Sequence, residues 1–488
     1  MPDIKDELAP YWLDCFHVGG KWATPHSHRR IGVVHPATED TLFDVAVADT
    51  HDIDDAIAAA RAAFEQGPWP HMSGAERSVL MRRLLERLES RSELLARLAT
   101  AQVGMPIAFA EMLVKTGLSR YRYYAELAGS YVFEDRRPTM RGHARVRREP
   151  VGVAALISPW NAVFPITAHK VGAALAAGCT MVVKSPVESP IEGLILAECA
   201  AEAGLPPGVV NVVTADRDES AYLVASRAVD KISFTGSVAA GRQIGVSAAE
   251  RMARTTLELG GKSAAILLED ADLATALPAL APFTMPFAGQ ICFSQSRILV
   301  PNTRLGEVVD AYAGAIGKLK LGDPWDRQTQ VGPVLNARQR DRILGYIAQG
   351  VEEGGRIVLG GGRAAGFDRG YFIEPTIFVD VTSHMTISRE EIFGPVVTIQ
   401  GYADEDDAVR IANDSDLGLS GSVYSRDTER AYRVACRIRT GQVGINGVEL
   451  APSVPFGGYK LSGVGREGGP EGLEAFLEIK SIFMPELH

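Results

Sequence analysis

The stretch Val151-Gly152-Val153-Ala154-Ala155-Leu156-Ile157, followed by Ser158-Pro159-Trp160-Asn161, the run Pro165–Ala177 and then Thr180-Met181-Val182-Val183, decides how the chain is read. It opens as a short apolar run rich in residues that favour strands. Turn formers follow, then an Ala- and Leu-rich segment with helical spacing, then a second apolar run. The same alternation continues through Ile191–Ala203, Val209–Val213, Lys231–Phe234 and Ala264–Leu268. Strands alternating with helices in this way give a parallel sheet covered on both faces. Its ligand crevice is expected at the carboxyl ends of the strands. Residues 262 to about 445 repeat the texture and read as a second α/β domain. Before position 151 the chain reads as mainly helical, with apolar stripes over Ile53–Phe64 and Leu80–Leu98. Arg136–Glu149 alternates basic and small residues without a helical stripe, which reads as an extended excursion pairing with the tail Ala475–Pro485. Gly354–Gly370 is Gly-rich and reads as a surface loop.

The composition sets bounds. The chain has 488 residues, 46% hydrophobic and 23% charged, enough to bury a large core. A net charge of −10 argues against a nucleic-acid surface. Met1–Pro10 carries three acidic residues and no apolar run, so it does not read as a signal peptide. No stretch approaches the ~18 apolar residues of a membrane span. Cys15, Cys179, Cys199, Cys292 and Cys436 are scattered without CxxC pairs. That fits reduced thiols in a cytoplasmic protein and gives no zinc or other metal site.

Five stretches carry chemistry. In Gly289-Gln290-Ile291-Cys292-Phe293-Ser294 one thiol lies between two bulky apolar residues, which suits either a nucleophile or a packed cysteine near a turn. Leu257-Glu258-Leu259-Gly260-Gly261-Lys262-Ser263 holds a carboxylate between leucines. If buried, its pKa rises towards the range of a general base; otherwise it is a solvated glutamate at a strand end. Asn161, just beyond a strand, has an amide suited to a developing oxyanion, and is equally a turn former. Lys184 and Glu188, at the end of the Thr180–Val183 run, suit ribose hydroxyls. Phe234-Thr235-Gly236-Ser237, with Gly241 beyond, runs from strand into helix and reads as a phosphate cradle. A G-x-G-x-x-G at Gly463–Gly468 is set aside, because no clear strand precedes it and too little chain follows for a βαβ unit.

Taken together and in this order, LELGGKS, FTGS, GQICFSQSR, EEIFGPV (Glu390–Val396) and the Pro455–Lys460 segment resemble the aldehyde dehydrogenase superfamily over nearly the whole chain. The resemblance implies an α/β, aldehyde dehydrogenase-like fold: two Rossmann-like parallel-sheet domains and a small β oligomerisation domain. Residues 1–134 and 151–260 would bind cofactor, 261–460 would be catalytic, and 135–150 with 475–488 would oligomerise. It implies Cys292 as nucleophile, Glu258 as base for hydrolysis, and Asn161 with the Cys292 N–H as oxyanion hole. NAD, with NADP as an alternative, would lie against Ile157, Ser158, Trp160, Lys184 and Glu188. Phe234, Gly236, Ser237, Leu259, Gly260, Gln339, Glu391 and Phe393 would complete that site. The position where the family often has glutamate is Val187 here, with Glu188 one later, and Ala162 stands where Phe or Tyr is frequent.

The implied reaction oxidises an aldehyde to an acid through a thiohemiacetal and a thioester on Cys292. A tunnel of Ala162, Ile166, His169, Ile291, Phe293, Leu450 and Phe456 contains no arginine or lysine. That suits a neutral, apolar aldehyde: medium-chain, terpenoid or aromatic. Rival readings are a CoA-acylating dehydrogenase, a cofactor-free cysteine hydrolase, and a non-enzymatic binding or structural protein on the same fold. Unpaired sheet edges imply a homodimer or homotetramer.

Overall fold

The computed structural model describes residues 4–485. Met1–Asp3 of the N-terminal reading and residues 486–488 of the expected oligomerisation tail lie outside the described residues.

Two open sheets organise the chain. In the first, five parallel strands lie in the spatial order Val210–Thr214, Thr180–Ser185, Val153–Ile157, Lys231–Thr235, Arg254–Glu258. Chain order reverses between Val153–Ile157 and Lys231–Thr235, so a crevice opens beyond their carboxyl ends. All five residues of each of these two strands are buried, as expected for strands covered on both faces. The hairpin of Phe16–Val18 and Lys21–Ala23 closes one edge, and Gly463–Val464 closes the other, antiparallel to Leu257 and Glu258. The second sheet has seven strands, with Ala264–Leu267 and Arg297–Pro301 at its centre. A third, of three antiparallel strands, pairs Gly142–Pro150 with Glu134–Thr139 and with the tail strand Leu477–Pro485. The extended excursion therefore pairs with the tail as the sequence indicates.

The N-terminal third is mainly helical, as read from the sequence, with helices Thr50–Gln66, Gly74–Ser90, Ser92–Val103 and Ile107–Ser130, but it also holds strands that the sequence reading lacked. Four strands, Phe16–Val18, Lys21–Ala23, Arg30–Val34 and Thr41–Ala46, precede the Thr50–Gln66 helix. They are short and partly exposed, so their apolar alternation is weak. The stripe at Leu80–Leu98 is two helices, Gly74–Ser90 and Ser92–Val103, broken at Arg91. Within Gly354–Gly370, Arg356–Leu359 forms an edge strand of the second sheet rather than loop. No helix among the described residues is long and apolar enough to cross a membrane.

Candidate active site

Ser158-Pro159 follows the Val153–Ile157 strand, and the Val163–Ala177 helix begins at its N-cap, Ala162. Proline cannot donate to a sheet ladder, so the chain turns there. Asn161 is thereby buried between strand end and helix start, and its Nδ2 donates to the Gln290 carbonyl at 2.9 Å. One contact thus joins the first sheet to the segment that carries Cys292.

Glu258 ends its strand. Its carbonyl accepts from Gly236 N at 3.0 Å, and Leu259 N donates to Ser462 O at 2.9 Å. The paired glycines that follow are required by close approach. A Cβ on Gly261 would lie 2.5 Å from the Cys292 carbonyl, and one on Gly260 would lie 2.1 Å from a Glu391 carboxylate oxygen. Glu391 accepts from Gly261 N at 3.2 Å. The turn thus draws Glu258, Cys292 and Glu391 together.

Cys292, Glu258 and Asn161 line one small cavity of about 80 Å³. Ala162, Ile166 and His169, at helical spacings of four and three, form one wall. Ile291 and Phe293 flank the cysteine, and Leu450 and Phe456 line the cavity from the chain after residue 446. Every residue expected in the tunnel is therefore present. The cavity continues into a vestibule of about 540 Å³, where the exposed Glu449 lies.

Several residues were missed from sequence. Phe109, Leu113 and Arg120 reach the cavity from the Ile107–Ser130 helix, and Glu467 from the glycine-rich 463–468 segment. Arg120 overturns the expectation that no arginine faces the tunnel. It escaped notice because only the packing of its helix decides which way it points.

Electrostatically the cavity is unusual. Burial pushes the Cys292 thiol up to about 12, with the Glu391 and Glu258 carboxylates adding to the effect. Glu258 is held well above the usual carboxylate range by burial, then by the nearby Glu467, and both its oxygens lack a protein hydrogen bond. Glu467 is ion-paired to the buried Lys170 at 2.6 Å, and Lys170 also donates to Ser233 Oγ at 3.1 Å. His169 is lowered by burial, with Arg120 and Lys170 reinforcing the effect, and so is neutral near pH 7.

A second recess, about 580 Å³, occupies the switch point of the first sheet. Ile157, Ser158 and Trp160 line it from one strand end, Lys184 and Glu188 from the next. Phe234, Gly236 and Ser237 contribute from the third, with Gln339 across. Leu259 lines the smaller cavity instead. Gly260, Glu391 and Phe393 border neither space; Phe393 packs edge-on against Trp160 at 5.5 Å between centroids. Thr235 lines both the recess and the cavity, so the two spaces adjoin.

The recess suits a dinucleotide. Thr235 Oγ1 and Gln339 Oε1, on residues that line it, are buried polar atoms without a protein partner. The Val238–Ala249 helix begins there, with Ser237 as its cap, offering N–H groups to phosphate. Burial lowers the Lys184 pKa, while Glu188 and Asp216 oppose that. Asp216 and Arg217, both lining the recess, were not foreseen from sequence.

Comparison with known proteins agrees with this arrangement. Residues 22–482 match the model of the Aldehyde dehydrogenase family. A geranial dehydrogenase of Castellaniella defragrans is 46% identical over 96% of this chain and 98% of its own. An aldehyde dehydrogenase of Mycobacterium tuberculosis, solved with NAD+, superposes with a TM-score of 0.94 at 43% identity, covering 97% of this chain and 98% of the other. Aldehyde dehydrogenase C of Pseudomonas syringae, solved as a cysteine-to-alanine mutant with NAD+ and octanal, also gives 0.94, at 41% identity and 97% coverage of both chains. The chain belongs to the Aldehyde dehydrogenase family.

Proposed function

We propose that Cys292 is the nucleophile, Glu258 the base and Asn161 the oxyanion donor of an enzyme that oxidises aldehydes to carboxylic acids with NAD. The observation that carries this reading is that all three line one cavity adjoining the dinucleotide-shaped recess through Thr235. Cys292 Sγ forms a bond to the aldehyde carbon, the carbonyl π pair moves onto oxygen, and the thiol's proton passes to solvent in the adjoining vestibule. Burial and the neighbouring Glu391 and Glu258 carboxylates favour the thiol over the thiolate before substrate enters. The oxygen that becomes negative accepts hydrogen bonds from the Cys292 N–H and from the Asn161 amide, one of whose hydrogens the Gln290 carbonyl already uses. NAD, when bound, supplies the hydride acceptor. At the resulting thioester Glu258 takes a proton from water, the new C–O bond forms, the C–S bond breaks and the acid leaves. Its raised pKa matches that task. A CoA-acylating enzyme has a thiol as acyl acceptor and no need of this carboxylate. Steady-state NADH formation without CoA tests the reading; a strict CoA requirement would overturn it.

The substrate body is a medium-chain, terpenoid or aromatic aldehyde. Support comes from the apolar wall of Ile166, Ile291, Phe293, Leu450 and Phe456, and from the geranial and octanal named for relatives. Each CH₂ buried there contributes about 0.8 kcal/mol. Catalytic efficiency is expected to rise from acetaldehyde to hexanal, citral or benzaldehyde. Ala162→Phe should penalise the bulky aldehydes more than acetaldehyde. An optimum at acetaldehyde would defeat this reading.

NAD is expected to be preferred over NADP. Glu188 and Asp216 both face the recess beside Lys184, and a 2′-phosphate there would meet two carboxylates. Equal efficiency with the two cofactors would count against it.

The three sheets support the division into a cofactor-binding part (1–134 and 151–260), a catalytic part (261–460) and an oligomerisation part (135–150 and 475–488). The tail strand exposes Ile479, Ile482, Phe483 and Met484, apolar residues that a homodimer or homotetramer would cover. A stable monomer at micromolar concentration in sedimentation would exclude that assembly. All five cysteines are free, in keeping with a cytoplasmic location.

A further inference from the structure

Arg120 has no counterpart in the mechanism above. It sits on the Ile107–Ser130 helix, where Phe109, Leu113 and Arg120, four and seven residues apart, share the face turned to the cavity. Gly117 lies on that face too, and a Cβ there would come within 2.6 Å of the Phe164 ring. The glycine lets this helix seat closely on the Val163–Ala177 helix, which brings Arg120 over the tunnel. Arg120 walls both the inner cavity and the vestibule, so it stands where the two meet.

Its hydrogen bonding is incomplete. The residue is only 8% exposed, yet its one protein acceptor among the described residues is the Pro165 carbonyl, 2.6 Å from Nη1. Arg297 provides an internal comparison. It is similarly buried, and its Nε, Nη1 and Nη2 donate to the carbonyls of Lys262, Ile411 and Ala412 at 3.0, 2.9 and 2.8 Å. A buried arginine that serves packing is capped in that way, since unmet donors are costly. Arg120 leaves most of its donor fork turned to the space that receives substrate.

Its charge is also uncompensated. Glu467 is the strongest carboxylate influence on it, but that group is already committed to Lys170 at 2.6 Å and to Ser233 Oγ at 3.2 Å. His169, on the same wall, is neutral. Glu258 lies deeper, beside Cys292, with its carboxyl pKa raised. Glu449 is exposed at the vestibule. Burial lowers the guanidinium only to about 10, so it remains a cation at neutral pH.

We infer that Arg120 is a specificity-determining residue that binds an oxygen acceptor, a ketone or a carboxylate, on the tail of the aldehyde while its CHO group lies at Cys292. The inference rests on the reading of this cavity as the aldehyde tunnel and refines the substrate class: an apolar stem carrying a second oxygen function at a set distance from the aldehyde. A nonpolar tail leaves the fork unmet.

The test uses the full-length protein with NAD and three aldehyde series of matched chain length: n-alkanals, oxoalkanals with the ketone moved along carbons 4 to 8, and ω-carboxyalkanals. At one chain length the oxo or carboxy compound should exceed its alkanal by about tenfold or more in kcat/KM, the range of a hydrogen bond to a charged donor. Which of the two series wins tells whether the tail oxygen is neutral or anionic. Arg120→Met should bring the ratio to about one, and Arg120→Lys should keep part of it. Ratios taken on one preparation are insensitive to loss of folded protein. If the wild type shows no preference at any length, or Arg120→Met retains it, the inference falls. A role for Arg120 in activating the thiol would change all three series alike and leave the ratio unmoved, which also overturns it. Failure of the apolar-stem reading is seen separately, on the alkanals alone.

Discussion

Cys292→Ala is expected to reduce aldehyde-dependent NADH formation to background while NAD still raises the melting temperature. The thiol is the only cysteine sulfur on the cavity that Asn161 and Glu258 share. Cys179 and Cys199 are fully buried in the core around the first sheet, and Cys15 and Cys436 line neither the cavity nor the recess. Each of these four, replaced singly by serine or alanine, should leave turnover within a few-fold. The pH behaviour follows from the direction of the shift. A thiol held at about 12 is almost wholly protonated at pH 7, and its thiolate fraction grows as pH rises. The rate of the first turnover should therefore climb with pH above neutrality. Turnover surviving in Cys292→Ala would show that another group attacks the aldehyde.

The second large effect belongs to Glu258. Glu258→Gln should release one equivalent of NADH rapidly and then stall, with the steady-state rate down by about 10²–10⁴-fold, the usual contribution of a general base. The side chain is 2% exposed and both oxygens are free of protein donors, so it is placed to accept from water and not to hold structure together. Rapid-mixing absorbance separates the burst from the steady state. If even the first equivalent is missing, Glu258 acts earlier, taking the proton of the Cys292 thiol during attack.

The core of the fold was legible because its signal is strong. Val153–Ile157 is buried throughout and reads as an unbroken apolar run, while Lys231–Thr235, equally buried, is marked by Ile232 and Phe234 before the small-residue turn. The strands at Arg30–Val34 and Thr41–Ala46 have mixed burial and flanking turns, and they were lost. At the site, Asn161, Glu258 and Cys292 lie in distinctive turns whose residue types declare themselves. Arg120 does not: it lies in Ser119-Arg120-Tyr121-Arg122, where two arginines two residues apart face opposite ways, one buried and one exposed. Glu467 was hidden inside a glycine motif rightly set aside as a dinucleotide fingerprint, yet that loop forms part of the reaction cavity. The elevated state of the Cys292 thiol was illegible as well, since it arises from burial and two carboxylates distant in sequence.

Gly463–Val464 pairs with Leu257 and Glu258, the next few residues deliver Glu467 beneath the carboxyl of Glu258, and the Gly469–Glu474 helix then leads directly into the tail strand. Val151 N holds the entry to that strand through the Phe476 carbonyl at 2.9 Å. One continuous thread thus runs from the floor of the reaction chamber to the outermost edge of the molecule. On the proposed role of Glu258, this continuity links the tail strand to the base. Trimming the last strand, or diluting an assembled form until its tails are released, should therefore cost turnover per chain as well as mass, and activity per milligram would report on association.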